Sequence, residues 1–155
     1  MKNKGITIRE AQLSDSLLYY NWANDSVVRQ MAFHSEPILW ESHCKWFEGK
    51  LNSANSHLTV CYSGEVPIGQ VRFDEVAEGE YEIDISVDSS LRSKGRGREM
   101  LKLAIDYVHS KYSINCFWAE VKAENIPSQK MFAAVGFELQ KVEHQVNYYK
   151  LFIKQ

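Results

Sequence analysis

The chain has 155 residues, 45% of them apolar, and its 18 basic side chains against 20 acidic ones leave a formal net charge of −2. A chain of this length fits one domain that buries roughly 70% of its unfolded surface. The balanced charge offers no global basic field for nucleic acid, and no apolar run approaches the ~18 residues of a membrane span.

Residues 1–5 lead into a strand rather than an apolar signal segment. Cys44, Cys61 and Cys116 are odd in number and too widely spaced for a disulfide framework or a zinc site. The expected compartment is the reducing cytoplasm. His34, His57, His109 and His144 form no metal-ligand grouping, so no metal is expected.

Alternation over residues 5–9 predicts a first strand. Ser14, Asp15 and Ser16 open a helix through Leu17, Leu18 and Trp22 that ends near Asn24 and Asp25. Val27, Val28 and Met31 mark a short second helical stretch. Trp40, Cys44, Phe47 and Leu51 recur at helical spacing as a core-facing stripe, which points Trp46 away from the core. Strand patterns follow at 57–62, 66–73 and 81–87. Leu101, Ala104, Ile105 and Val108 then share one helical face. Residues 116–121 read as a strand, 126–135 as a helix and 137–152 as two closing strands. No repeat or linker interrupts residues 1–155, so a single domain is expected. The order is mixed α/β: an antiparallel meander, then a right-handed helical crossover to a parallel strand.

The strand at 81–87 runs into Arg92-x-x-Gly95-x-Gly97 and then a helix. Glycines accept positive φ, so the backbone can curl tightly there. The first N–H groups of the helix lack intrahelical partners and favour an anion. Arg92, Ser93, Lys94, Arg96 and Arg98 crowd the same turn. A Walker A loop needs four residues between its glycines, and the dinucleotide fingerprint needs a third glycine where this chain has Met100. The expected ligand is a pyrophosphate of another kind, with the backbone at Gly97 held close to it.

This motif after a strand resembles the acetyl-CoA signature of the GNAT superfamily of N-acetyltransferases. The later run Glu120, Asn125, Ser128, Phe132 and Gly136-Phe137 resembles that family's fifth strand, its next helix and its closing Gly-Phe pair. The resemblance covers residues 6 to about 150. It implies a mostly antiparallel sheet of six to seven strands, splayed at the acetyl-CoA site, with about four helices. It also implies that the backbone of Ile85, Ser86 and Val87 pairs with the pantetheine arm and polarises the thioester carbonyl. Asn125 both caps its helix and bonds the same arm.

Transfer to an amine needs a base near the working pH. Glu120 is the first candidate: it lies among apolar strand residues that could desolvate it, and it matches the base of some relatives. A solvated strand face, or a salt bridge to Lys122 or Arg72, is the alternative. Glu82 and Asp84 are the reserves. Many relatives place a tyrosine where this chain has Phe132, and a phenyl ring cannot donate a proton to the leaving thiolate. Ser128, one turn after Asn125, takes that role by resemblance, with simple helix capping as the alternative.

The first half of the chain resembles the nucleotide-aminosugar N-acetyltransferases of the pseudaminic acid pathway, and less closely the ribosomal-protein acetyltransferases. That branch implies a nucleotide-linked amino-sugar substrate, with Trp46 stacking on the base, Met31 and Phe33 opposite it, and His43 at a diphosphate or hydroxyl. Structural roles for Trp46 and His43 stand beside those readings. An acceptor that is a protein α-amine or another small amine, and a silent acetyl-CoA-binding module, remain the competing functions. A homodimer is compatible with all of them.

Overall fold

The computed structural model describes residues 5–92 and 94–153. A seven-stranded sheet carries the fold, in the order β1-β2-β3-β4-β5-β7-β6. Its first four strands are β1 (Ile6–Glu10), β2 (Ser56–Ser63), β3 (Val66–Ala77) and β4 (Glu80–Val87), each antiparallel to the next. Helix α4 (Arg96–Lys111) then crosses to β5 (Cys116–Lys122), which runs parallel to β4. Helix α5 (Ile126–Val135) follows, and β6 (Glu138–Glu143) and β7 (Val146–Phe152) close the sheet. The meander, the crossover and the closing hairpin are those that the hydrophobic pattern predicts. No helix among the described residues is long and apolar enough to cross a membrane.

The two faces of the sheet differ in chemistry. On one face Tyr81, Ile83, Phe117, Ala119 and Val121 pack under α4 and α5 with Met100, Leu101, Ala104 and Val108. Strand residues two apart share a face, so Glu82, Asp84 and Ser86 of β4 and Trp118, Glu120 and Lys122 of β5 all lie on the other. There α1 (Ser16–Ala23), α2 (Ser26–Met31) and α3 (Trp40–Leu51) cover only part of the sheet. Tyr19, Trp22 and Phe47 form a second core with Leu58 and Val60 of β2. Helix α1 also reaches β4, where Ser86 is buried, while Asp84 of β4 and Glu120 of β5 are exposed on this face.

Helix α3 departs from the expected stripe. Phe47 is fully buried as predicted, but His43 is its buried neighbour one turn earlier, and Trp40 is exposed. The His43 ring stacks on Phe47 and bonds the carbonyl oxygen of Ser16 at 2.8 Å. Apolarity placed the stripe on Trp40. The available hydrogen-bond partner put histidine inside instead, because a buried ring nitrogen needs one. Asp15 also departs from expectation: it does not cap α1 through its side chain. Instead its buried carboxylate accepts two bonds from Arg9, at 2.7 and 2.8 Å, and the Gln12 N–H at 2.7 Å.

Candidate active site

Strands β4 and β5 pair only at Glu80↔Cys116, Tyr81↔Phe117 and Glu82↔Trp118. Beyond Glu82 they diverge, while β4 stays paired to β3 as far as Val87 and β5 stays paired to β7 as far as Lys122. The inner backbone edge of residues 83–87 therefore has no strand partner. Such an edge presents N–H and C=O groups in the geometry that an extended amide chain can pair with.

At the open end of β4 the chain turns through a short 3-10 segment, Ser89–Leu91, into α4. Gly95 caps that helix with φ +75°, a left-handed conformation that suits glycine. A Cβ on Gly95 would meet nothing within 4 Å, whereas one on Gly97 would meet Met131 Sδ at 2.9 Å and Val87 Cγ2 at 3.2 Å. The bare side of Gly97 thus faces the protein. Its glycine lets α4, the end of β4 and α5 converge, which brings the unpartnered N–H groups of α4 beside the free edge of β4. Packing against Met131 and Val87 is by itself a reason for glycine at this position, beside the expected approach of a pyrophosphate to its backbone.

The basic residues of the turn divide. Lys94 and Arg98 are exposed and Arg96 is half-buried, 3.4 Å from Glu99. Arg92, expected on the phosphate, donates to Asp25 at 2.7 Å. Ser93 lies outside the described residues.

On the open face, Glu82 stands at the last β4–β5 pair, the vertex of the splay. Burial raises its carboxyl pKa above the ordinary glutamate value, the negative charges of Glu120, Asp74 and Asp84 add to the rise, and Arg72 opposes it. Neither Glu82 nor Glu120 has an ion-pair partner among the described residues. Glu120 is exposed, so its apolar strand neighbours do not desolvate it, and the salt bridges to Lys122 or Arg72 are not formed. Phe117, Ala119 and Val121 point to the opposite face, because alternation separates them, and only Trp118 shares its face. Asp84 lies 3.6 Å from Arg72 and accepts from Gln70 at 2.9 Å. Arg72 also bonds Asp74 at 2.9 Å and lies 4.9 Å from the centroid of the Trp46 ring.

Across the splay, Asn125 caps α5 by accepting the Ser128 N–H at 3.3 Å, as the sequence implies. The Ser128 side chain is half-buried. Phe132, 4% exposed, packs edge-on against Phe137 and stacks with Tyr149. Of the residues expected at the substrate, Met31 is half-buried, Phe33 is exposed and Trp46 is 37% exposed. His43 is not brought to the site. Burial lowers its pKa, and its partner is a backbone carbonyl oxygen. The Asp25–Arg92 bond and the Arg72–Trp46 contact escaped sequence reasoning, since each joins segments far apart in the chain.

The splayed edge, the glycine-capped helix and the acidic vertex define a class of enzyme that holds an extended phosphate-bearing thioester against a sheet and presents an amine to it. Residues 6–138 match the acetyltransferase (GNAT) domain family. The chain belongs to that family and is an acetyl-CoA-dependent N-acetyltransferase. No curated protein matches it in sequence. Among solved structures, spermidine N-acetyltransferase from Vibrio cholerae, in complex with CoA and spermine, superposes with a TM-score of 0.86 at 18% identity, over 97% of this chain and 96% of that one. An aminoglycoside acetyltransferase with coenzyme A gives 0.82 at 15% identity, over 96% and 95%. A ribosomal α-N-protein acetyltransferase with coenzyme A gives 0.84 at 15%, over 96% and 94%.

Proposed function

We propose that this N-acetyltransferase acts on a small acceptor bearing more than one amine, brought to the acidic vertex of the splay. The observation that carries this reading is the pair Glu82 and Glu120, two carboxylates on one face with no cation bonded to either among the described residues. An ammonium group there relieves their repulsion, whereas a diphosphate adds to it. The structural relatives named for spermidine and aminoglycosides agree with such an acceptor.

The chain's own groups divide the work. The α4 N-terminus with Lys94, Arg96 and Arg98 seats the pyrophosphate. The free edge over residues 83–87 pairs with the pantetheine arm, and its N–H groups face the thioester carbonyl. Acetyl-CoA, when bound, supplies an acetyl group activated by its sulfur. Glu82, with its raised pKa, takes the proton from the amine directly or through one water. The Ser128 hydroxyl donates to the departing sulfur, and Asn125 holds that helix end in place. Phe132 has no proton to give.

A second reading, the nucleotide-linked amino sugar of surface-polysaccharide or nonulosonic acid biosynthesis, is favoured by Trp46. Its ring lies off the core face, and stacking a base on it could add about 1–3 kcal/mol. Arg72 already lies against that ring, and His43 is unavailable to a diphosphate, so the support is narrower. A protein α-amine is the further alternative. Initial rates with polyamines, aminoglycosides, UDP- and TDP-amino sugars and N-terminal peptides distinguish them. The leading reading expects the highest kcat/KM among polyamines or aminoglycosides. A nucleotide sugar or a peptide at the head of the series overturns it.

A further inference from the structure

Helix α2 is six residues long, about 9 Å, and it is tied at both ends to the two arms of the splay. At its N-terminus Asp25 accepts from Arg92, which follows β4. At its C-terminal end the Gln30 carbonyl oxygen accepts from Lys122, at the end of β5, at 3.3 Å. The helix therefore bridges the open mouth between β4 and β5 on the acceptor face. Its own Arg29 holds the following loop by donating to the His34 carbonyl at 2.9 Å, so Met31 and Phe33 move with it. Asp25 does two jobs with one carboxylate: it caps α2 through the Val27 and Val28 N–H groups and holds Arg92.

Arg92 spends one of its five N–H donors on Asp25 and makes no other hydrogen bond among the described residues. The neighbouring acid, Asp88, is engaged by Ser90 and Trp22. Arg92 is thus held to another segment through a single carboxylate oxygen. A pyrophosphate at the α4 N-terminus competes for the same guanidinium.

We propose that Arg92 is shared between Asp25 and the pyrophosphate of acetyl-CoA, so that Asp25 is a positioning residue that straps α2 over the acceptor mouth until the thioester binds. The proposal rests on the glycine turn as the pyrophosphate seat. Seating the phosphate draws Arg92 from Asp25 and frees one end of the strap. Burial pushes the Asp25 pKa up, but the Arg92 bond and the two amide N–H groups hold it below the usual aspartate value, so the carboxylate is ionised and competes fully.

Asp25→Asn isolates the charge, because asparagine caps helices as well as aspartate does. Calorimetric titration of acetyl-CoA into the Asp25→Asn protein should show a Kd lower by about two- to fivefold, the range of an exposed to half-buried ion pair. The amine KM at saturating acetyl-CoA should be unchanged, since in that complex Arg92 has already left Asp25. In an Arg92→Gln background, or Arg92→Lys if the glutamine protein does not fold, the Asp25 substitution should no longer tighten binding. A merely structural cap predicts no tightening at all. An unchanged or raised Kd for Asp25→Asn, with Arg92→Gln weakening acetyl-CoA, overturns the sharing and leaves the glycine-turn seat standing. Unchanged Kd in both single variants shows that Arg92 takes no part in the seat and overturns the sharing; the seat itself fails if Lys94→Gln with Arg96→Gln also leaves the acetyl-CoA Kd unchanged.

Discussion

Glu82 sits where the two diverging strands last touch, and its protonation state governs what the vertex can do. Because burial and the surrounding carboxylates raise its pKa, kcat should climb with pH through an apparent value above the ordinary ~4.3 of glutamate. Glu82→Gln should remove that limb and lower kcat by about 10²-fold, the lower end of general-base effects. Stability should move the other way. The folded state holds this proton more tightly than the unfolded chain, so stability falls as pH rises from the ordinary glutamate value through the raised one. Glu82→Gln should therefore melt no lower than the parent at neutral pH. Glu120→Gln, which removes one neighbouring negative charge, should shift the limb to lower pH and keep most of the rate. If Glu120→Gln abolishes turnover while Glu82→Gln leaves it intact, the roles are reversed. The sequence named both glutamates but ranked them by their strand neighbours. Desolvation depends instead on which face those neighbours occupy and what covers it, and neither is written along one strand.

At the scale of elements, the glycine turn shows how a motif can be found for one reason and have a second. Its position before a helix and after a strand was legible from the spacing of Arg92, Gly95 and Gly97. The direction of the missing Cβ at Gly97 was not, because it depends on Val87 and on Met131, which arrives with α5. Gly97→Val should overpack that junction by about 1–3 kcal/mol and lower Tm by roughly 2–12 °C, whereas Lys94→Ala leaves Tm near the parent's. Differential scanning calorimetry checks this, and parental melting of Gly97→Val would show that the three elements do not converge there. Helix α3 carries the same lesson. A period of apolar residues located the helix and Phe47, while His43 entered the core because the Ser16 carbonyl oxygen was within reach. Likewise Asn24 and Asp25 read as the end of one helix. Asp25 instead begins the next, and its link to Arg92 spans 67 residues.

Across the whole molecule, alternation and helical periodicity carried the elements well, but not that β7 rather than β6 pairs with β5. The meander, the parallel crossover and the closing hairpin each follow from local patterns. The splay does not. Nothing local states that β4 and β5 stop pairing after Glu82 and Trp118; the family resemblance, not the pattern of these strands, implied a splay. That divergence is the central claim: one free strand edge and one helix N-terminus, side by side, receive acetyl-CoA. Amide hydrogen exchange read residue by residue, with and without saturating acetyl-CoA, tests it directly. Exchange should slow over residues 83–87 and 95–99 and stay unchanged at the far end of the sheet, around 75–81 and 56–59. Slowing confined to that far end, or none at residues 83–87 and 95–99 while calorimetry registers binding, would contradict the account.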